Sequence, residues 1–253
     1  MKKTTMRKYA RLIARKGINI QKGQEVMINA DLDQPEFVKM LVEECYKAGA
    51  GKVIVEWAYQ PLAKLHYRYR SMKTLSTVEK WEVERMEHRA TTLPAMIHLE
   101  SDDPDGLKGI DQVKLAKSQQ ARYPIIKPFR DRMENRYQWC IAAVPGEAWA
   151  KKVFPGLRVN QAVEKLWEAI LYTSRADGDD PVKAWKITMQ ICKQDVNIST
   201  ILALQNFIIR PQTAQISPLA LLKTEFSVAD VRTLLVASRS ILTSPVKKFS
   251  PHL

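Results

Sequence analysis

A strand–helix–strand unit near the N-terminus constrains the fold of this chain more than any other feature. The run EVMINA, residues 25–30, is short and apolar, as expected for a buried strand. Asp33, Pro35 and Glu36 then have the spacing of a helix start, with Asp33 as the predicted N-cap and Glu36 completing a capping box. The run KVIVEW, residues 52–57, supplies the second strand. Units of this kind build parallel sheets with a right-handed crossover.

The rest of the chain up to about residue 195 continues the alternation of helical and strand-like segments. The further predicted elements, in chain order, are a helix from Thr4 to Lys16 that ends at Gly17, a helix over 75–89, a strand over 94–100, a helix over 110–133 interrupted by Pro124 and Pro128, a strand over 137–145, an amphipathic helix containing Val163, Leu166, Trp167, Ile170 and Leu171, and a helix over 181–194 capped by Asp180. This pattern predicts an α/β fold with a mostly parallel sheet flanked by helices.

The charge and the apolar content limit the classes of partner. The net charge of +13 raises the possibility of nucleic-acid binding. Many of the basic residues, however, alternate with acids at helical spacing, as in VEKWEVERMEHR, which favours a solvated basic surface. No apolar run approaches the roughly 18 residues that a membrane span needs. Nucleic-acid binding therefore stays as the less favoured alternative, and we expect no membrane partner.

The cysteines indicate a reducing compartment. Cys45, Cys140 and Cys192 are odd in number, far apart and set among apolar residues. Free buried thiols in the cytoplasm are the preferred interpretation, and a disulfide is the alternative.

The sequence contains no motif that is typical of nucleotide-binding proteins or of nucleophilic enzymes. The sequence has no GxGxxG, no phosphate-binding loop ending in Gly-Lys-Ser/Thr, and no GxSxG. The segment AGAGK, residues 48–52, precedes a strand and not a helix, so it predicts a helix stop.

Potential metal ligands occur as two acidic groups and as isolated histidines. The acidic groups are Asp102, Asp103 and Asp105, and Asp177, Asp179 and Asp180; the histidines are His66, His88, His98 and His252. Neither acidic group has the alternation and distal Glu of a calcium loop, so both predict helix-capping turns. The histidines form no close ligand pair. We expect His98 to be an interior strand residue and His66 to lie on an exposed helix face.

Several long segments in register resemble one family of enzymes. The segments are KYARLIARKGINIQKGQEVMINA, EFVKMLVEECYKAGAGKVIVEW, DDPDGLKGID, KSQQARYPIIKPFRDRM, QWCIAAVPGEAWAKKVFPGL, AVEKLWEAI and RADGDDPVKAW. Over about residues 2–195 they are similar to the thermophilic-type metalloaminopeptidases of the aminopeptidase S and T type. The resemblance implies a cytoplasmic, homodimeric exopeptidase that acts on peptides and uses two divalent metal ions, which could be Zn, Co, Mn or Mg.

The resemblance also implies a second, metal-binding domain, and none of its ligand motifs matches a position of this sequence. We therefore predict no catalytic, cofactor-binding or metal-binding residue, no metal bound to this chain and no activity of this chain alone. A non-catalytic interaction or dimerisation fragment is the alternative. Residues that would contact the second domain should leave an exposed apolar patch.

The segment 196–253 does not continue the pattern before it. No glycine follows Gly178, and β-branched and leucine-rich runs alternate without a sustained period. Read one base out of register from Gln205, codons exist that spell segments similar to the start of the family's second domain. Asp230 followed by Val231 allows only Cys or Arg in that frame, and the pattern needs Arg. We predict a domain over 1–195 and an aberrant, irregular or locally helical tail over 196–253 that is truncated and out of frame; natural divergence is the alternative.

Overall fold

A four-stranded parallel sheet forms the centre of the molecule. The structure, a computed structural model, describes residues 1–191. Its strands are β1 (Glu25–Asp31), β2 (Lys52–Ala58), β3 (Ala95–Glu100) and β4 (Trp139–Ala143), in the spatial order β2-β1-β3-β4. Every neighbouring pair is parallel. The predicted α/β class and all four predicted strands are confirmed.

Helices cover both faces of the sheet. They are α1 (Lys3–Leu12), α2 (Pro35–Ala48), α3 (Gln60–Tyr69), α4 (Met72–Ser76), α5 (Lys80–Thr92), α6 (Gln112–Met133), α7 (Glu147–Val153), α8 (Val159–Thr173) and α9, which occupies 181–191. None of the helices among residues 1–191 has the combination of length and apolar character that crossing a membrane requires.

The main core lies on one face of the sheet, between the strands and helices α1, α2 and α8. Val26 and Ile28 of β1 point into this face, and Phe37 of α2 packs there against Trp167 of α8. The thiols of Cys45 and Cys140 are free and buried, as expected from the sequence. Burial raises the pKa of both thiols to about 12, so neither is a reactive thiolate at neutral pH.

The opposite face has a much smaller core. Met27 and Met96 pack there with Ala90 of α5 and Met133 of α6. Further along the strands this face becomes polar, with Asn29 of β1 beside its register partner His98 of β3. Parallel sheets with both faces covered are ordinarily apolar throughout, so the polar half of this face needs a separate account.

The first helix ends differently from the prediction of a regular helix capped by Gly17. The α-helix stops at Leu12, and a π-helical turn, Ile13–Gly17, follows it, in which Ile18 N donates to Ile13 O at 3.0 Å. Gly17 does not adopt a left-handed conformation. It is needed for space, because a Cβ at this position would lie 2.8 Å from the Sγ of Cys140.

Three other helix boundaries correct the sequence predictions. The N-cap of α2 is Gln34 and not Asp33, and it makes no side-chain capping bond. Helix α6 continues through Pro124 and Pro128. Both prolines are exposed, so water can solvate the carbonyl groups that lack an intrahelical donor. The helix predicted over 75–89 is divided into α4 and α5.

Other local predictions are confirmed. Gly49 ends α2 with a φ of 110°. Asp180 Oδ1 accepts from Lys183 N at 3.1 Å at the start of α9. His98 lies in β3, as predicted. The prediction that His66 is exposed is wrong, because His66 is half-buried in the last turn of α3. The predictions for Cys192, His252 and the tail lie outside the described residues.

Candidate functional site

The reversal of strand order places a group of polar side chains at one edge of the sheet. The chain leaves β1 toward β2 and later returns to place β3 on the other side of β1. In open α/β sheets ligands bind at such switch points, outside the carboxyl ends of the strands. The side chains at this carboxyl edge are Asp31, Asp33, Glu100, Ser101 and Asp102.

A single buried hydroxyl group connects two carboxyl groups at the carboxyl edge. The Oγ of Ser101 lies 2.8 Å from Asp33 Oδ1 and 3.2 Å from Asp31 Oδ2. A serine hydroxyl has one proton to donate. If Ser101 donates to Asp33 across the shorter distance, its contact with Asp31 is a good hydrogen bond only when the carboxyl group of Asp31 carries a proton.

The electrostatics of Asp31 agree with this count of protons. Burial, together with the neighbouring Asp102 and Asp33, raises the pKa of Asp31 to about 7, against the lowering effect of the hydrogen bond from Ser101. Burial and Asp102 also raise the pKa of Glu100. The carboxyl edge is therefore a group of mutually repelling acids that takes up a proton near neutral pH.

Replacing Asp31 with Asn is expected to remove a loss of stability at alkaline pH. The folded-state pKa of Asp31 is raised above its value of 3.8 in the unfolded chain. The stabilising contribution of the protonated group is therefore complete below about pH 4 and is lost as the pH rises through about 7. Because Asp31 is only partly buried, solvent screens part of this effect. We therefore expect the free energy of unfolding of Asp31→Asn to rise by about 1 kcal/mol relative to that of wild type between pH 5 and pH 8.5.

Urea unfolding at the two pH values measures this effect. Asp177→Asn, in the turn after α8, is the matched control and should leave the pH dependence unchanged. Parallel pH profiles for wild type and Asp31→Asn would show that Asp31 is ionised throughout this range.

The polar half of the sheet continues from the carboxyl edge across three strands. Asn29 Nδ2 lies 3.3 Å from His98 Nδ1, and Asn29 is also the register partner of Glu56 in β2. Arg89 of α5 donates a hydrogen bond to Glu56, and Arg85 Nη1 lies 3.6 Å from the same carboxylate. Burial and the positive charge of Arg89 lower the pKa of His98. His98 is therefore neutral at pH 7, and with Asn29 as donor its proton is on Nε2.

The acidic groups found in the sequence act mainly as turns and ion pairs. Asp103 Oδ1 accepts a hydrogen bond from Asp105 N at 2.9 Å. Lys152 Nζ of α7 lies 2.8 Å from Asp105 Oδ2. Asp179 lies 3.8 Å from Lys8, and Asp180 caps α9. These contacts confirm turns in both groups, but helix capping is confirmed only for Asp180, because Asp111 caps the helix that follows the first group. Asp102 belongs to the carboxyl edge as well.

The described residues do not fit the requirements of a metal centre. Within residues 1–191 no three His, Cys, Asp or Glu side chains converge where they could hold a metal ion. The three described histidines lie in different elements, and His88 Nε2 contacts Glu25 Oε1 at 2.7 Å. Ser101 connects Asp31 with Asp33, and Asp31 also forms a hydrogen bond with Asp102, so the arrangement of the carboxyl edge fits proton sharing.

Sequence reasoning missed Ser101 and the partnership of Asp31 with Asp33. A signal was present, because polar residues directly follow β1 and β3. The polar contacts across Asn29, His98 and Glu56 were also missed, although each of these residues interrupts an apolar strand.

Comparison with known proteins agrees with the fold and extends it. The family model of the thermophilic metalloproteases (M29) matches residues 2–210. Aminopeptidase AmpS of Bacillus subtilis is 35% identical over 178 residues, which are 70% of this chain and 43% of that protein. Aminopeptidase T of Thermus thermophilus is 34% identical over 185 residues, which are 73% of this chain and 45% of that protein.

A solved structure shows the same relationship. The structure of wild-type AmpT from Thermus thermophilus superimposes with a TM-score of 0.64 at 30% identity, over 73% of this chain and 45% of that one. The chain thus spans less than half the length of the relatives it matches. The family model nevertheless covers most of it, and the chain belongs to the thermophilic metalloprotease family M29.

Proposed function

We propose that this chain is the amino-terminal α/β part of a metal-dependent aminopeptidase that releases N-terminal residues from peptides in the cytoplasm. The observation that carries the proposal is the family match over residues 2–210. Four similar proteins, named Aminopeptidase AmpS, Aminopeptidase PepS, Aminopeptidase 2 and Aminopeptidase T, are 33–35% identical to it. The structural similarity to AmpT over 73% of this chain supports the same assignment.

The catalytic metal ions of the proposed enzyme are two divalent cations, and Zn, Co, Mn and Mg are the candidates. Such ions would polarise the scissile carbonyl and activate water. Because residues 1–191 hold no fitting ligand group, we propose that the ligands belong to the part of the family chain not matched here. On this proposal the chain alone binds no metal and does not hydrolyse peptides.

For the remainder of the sequence we propose a boundary at about residue 195. Residues 1–195 form the family's α/β domain, and residues 196–253 are its continuation translated out of frame. Tight codon constraints support this: Lys247 followed by Lys248 can encode only Lys or Glu in the shifted frame, and the family pattern needs Glu. Sequencing the gene tests it, since codons that do not spell the family segments in the other frame would exclude a frameshift.

Hydrolysis assays test the proposed activity directly. We expect no release of leucine from leucyl-anilide by this chain in the presence of Co, Mn, Zn or Mg. A chimera in which residues 1–191 are followed by the remaining part of Aminopeptidase T from Thermus thermophilus is expected to hydrolyse the same substrate when metal is added. The metal-treated chain and the metal-free chimera are the controls. Metal-dependent turnover by the chain alone would contradict its proposed inactivity, and a folded, metal-loaded but inactive chimera would contradict the aminopeptidase assignment.

A homodimer is a further expectation from the family resemblance. Sedimentation velocity over a range of concentrations distinguishes a monomer from a dimer of this chain. A monomer at all concentrations would mean that dimerisation, if it occurs in the longer relatives, depends on residues outside the matched region.

A further inference from the structure

We propose that an exposed apolar stripe on helix α3 is a docking surface. Its occupant is the part of the relatives' chains that has no match in this protein. The stripe consists of Leu62, Leu65 and Tyr69. Its occupant is an apolar segment with acidic flanks. The inference rests on the proposed function, because it takes the matched region to be one part of a longer enzyme.

The α3 stripe faces away from the rest of the described protein. Leu62, Leu65 and Tyr69 are 47%, 45% and 76% exposed, and α3 has no buried residue. Their spacing of three and then four residues places them on one face of the helix. Tyr59, just before α3, and Met72, in the short α4, extend the exposed apolar surface at its two ends.

The energetics of a short helix argue that this face has a partner. Isolated helices below about 12–15 residues are marginal in water, and packing of an apolar face ordinarily supplies their stability. Helix α3 has 10 residues, and its apolar face is directed outward. Polar contacts hold it at its ends: Gln60 Nε2 donates to Asp103 O at 3.0 Å, and Lys114 Nζ donates to Tyr67 O at 2.8 Å. The ends of α3 are thus positioned while its apolar face stays open.

The charge around the α3 stripe defines the chemistry of the partner. Residues 57–78 contain no Asp or Glu. The same segment contains Lys64, Arg68, Arg70 and Lys73, and none of them forms an ion pair within the described part of the chain. Lys64 and Arg68 lie four residues apart beside the stripe, so acidic side chains on the partner would complement this surface.

The alternatives fit this surface less well. A two-fold contact between two copies of the stripe would bring the same four cations together, and like charges at an interface cost affinity. A nucleic acid would use the cations and could stack on Tyr69, but it would leave the exposed side chains of Leu62 and Leu65 without an apolar partner. The unmatched remainder of the family chain is long enough to supply a docking segment, since this protein covers only 43–45% of the length of its relatives.

Hydrogen exchange of the α3 amides tests the proposal. In the full 253-residue chain we expect fast exchange over 60–69, and in the chimera with the remaining part of Aminopeptidase T exchange slower by at least about tenfold, because docking stabilises the helix. Leu65→Asp in the chimera should abolish the slowing. Val113→Asp, at a 61% exposed apolar position on α6, is the matched control and should not.

Each further result decides between occupants. In the chain alone, Leu65→Asp should leave the urea midpoint of unfolding close to that of wild type, as at other surface positions. A clear fall of the midpoint would show that the stripe packs within this chain and would overturn the proposal. Concentration-dependent protection of α3 in the chain alone would assign the stripe to a second copy. Fast exchange of α3 in a folded chimera would also overturn it, even if that chimera is active, whereas protection without hydrolysis would leave the docking surface standing and refute the proposed function.

Discussion

Replacing Phe37 with alanine is expected to destabilise the fold by about 3–5 kcal/mol, the range found for Phe→Ala changes in protein cores. Phe37 is 1% exposed. Its ring centroid lies 5.7 Å from that of Tyr9 and 5.5 Å from that of Trp167. The three rings join α1, α2 and α8 on the main face of the sheet, so the substitution leaves a cavity where three helices meet.

Urea unfolding followed by tryptophan fluorescence measures this loss. Phe37→Leu keeps most of the buried volume and should cost clearly less than Phe37→Ala. Tyr172→Ala, at a position of α8 where the side chain is 74% exposed, is the control, and its free energy of unfolding should stay within about 0.5 kcal/mol of wild type. Equal effects of Phe37→Ala and Tyr172→Ala would show that the three rings do not form the centre of the core.

The main core could be predicted because its signals are local. The apolar runs at 25–30 and 52–57 identified β1 and β2, and the helical spacing around Trp167 identified the buried face of α8. Each of these patterns lies within one element, so it can be recognised without knowing how the elements are arranged.

The carboxyl edge could not be predicted, because it depends on the order of strands. Asp31 and Ser101 are 70 residues apart in sequence. They meet only because β3 returns to lie beside β1, and the strand–helix–strand pattern alone does not determine where a third strand is added. Asp33 shows the same limit. Its spacing predicts a helix cap, but in the folded chain its carboxylate accepts a hydrogen bond from the hydroxyl of Ser101.

Helix α6 and the α3 stripe show two other limits of sequence reasoning. Proline propensity predicts a break within 110–133, but the exposed position of both prolines lets the helix continue. An amphipathic pattern such as Leu62, Leu65 and Tyr69 predicts a buried face, and here that face is exposed in the described chain. Periodicity identifies a face that needs a partner, but the partner can lie beyond the matched region.

Replacing Gly146 with alanine is expected to destabilise the protein by about 3 kcal/mol or more, through a clash between two backbone segments. A Cβ at Gly146 would lie 2.1 Å from the carbonyl oxygen of Ser101 and 3.1 Å from Asp33 Oδ2. The first contact is with backbone, so a change of rotamer cannot relieve it. The end of β4 would have to separate from the end of β3, where Val144 N donates to Glu100 O at 2.9 Å.

The controls for Gly146→Ala distinguish a backbone clash from loss of the polar contacts. Gly156→Ala adds a methyl group where nothing lies within 4 Å and φ is not positive, so it should be neutral or slightly stabilising. Ser101→Ala removes the shared hydroxyl but keeps the carbonyl oxygen, and it should not restore the stability of Gly146→Ala. Rescue by Ser101→Ala would show that the side-chain contacts of Ser101, and not the approach of its backbone, fix this junction. Because Ser101 also contacts Asp31, a separation at Gly146 should in addition weaken the dependence of stability on pH that we expect from Asp31.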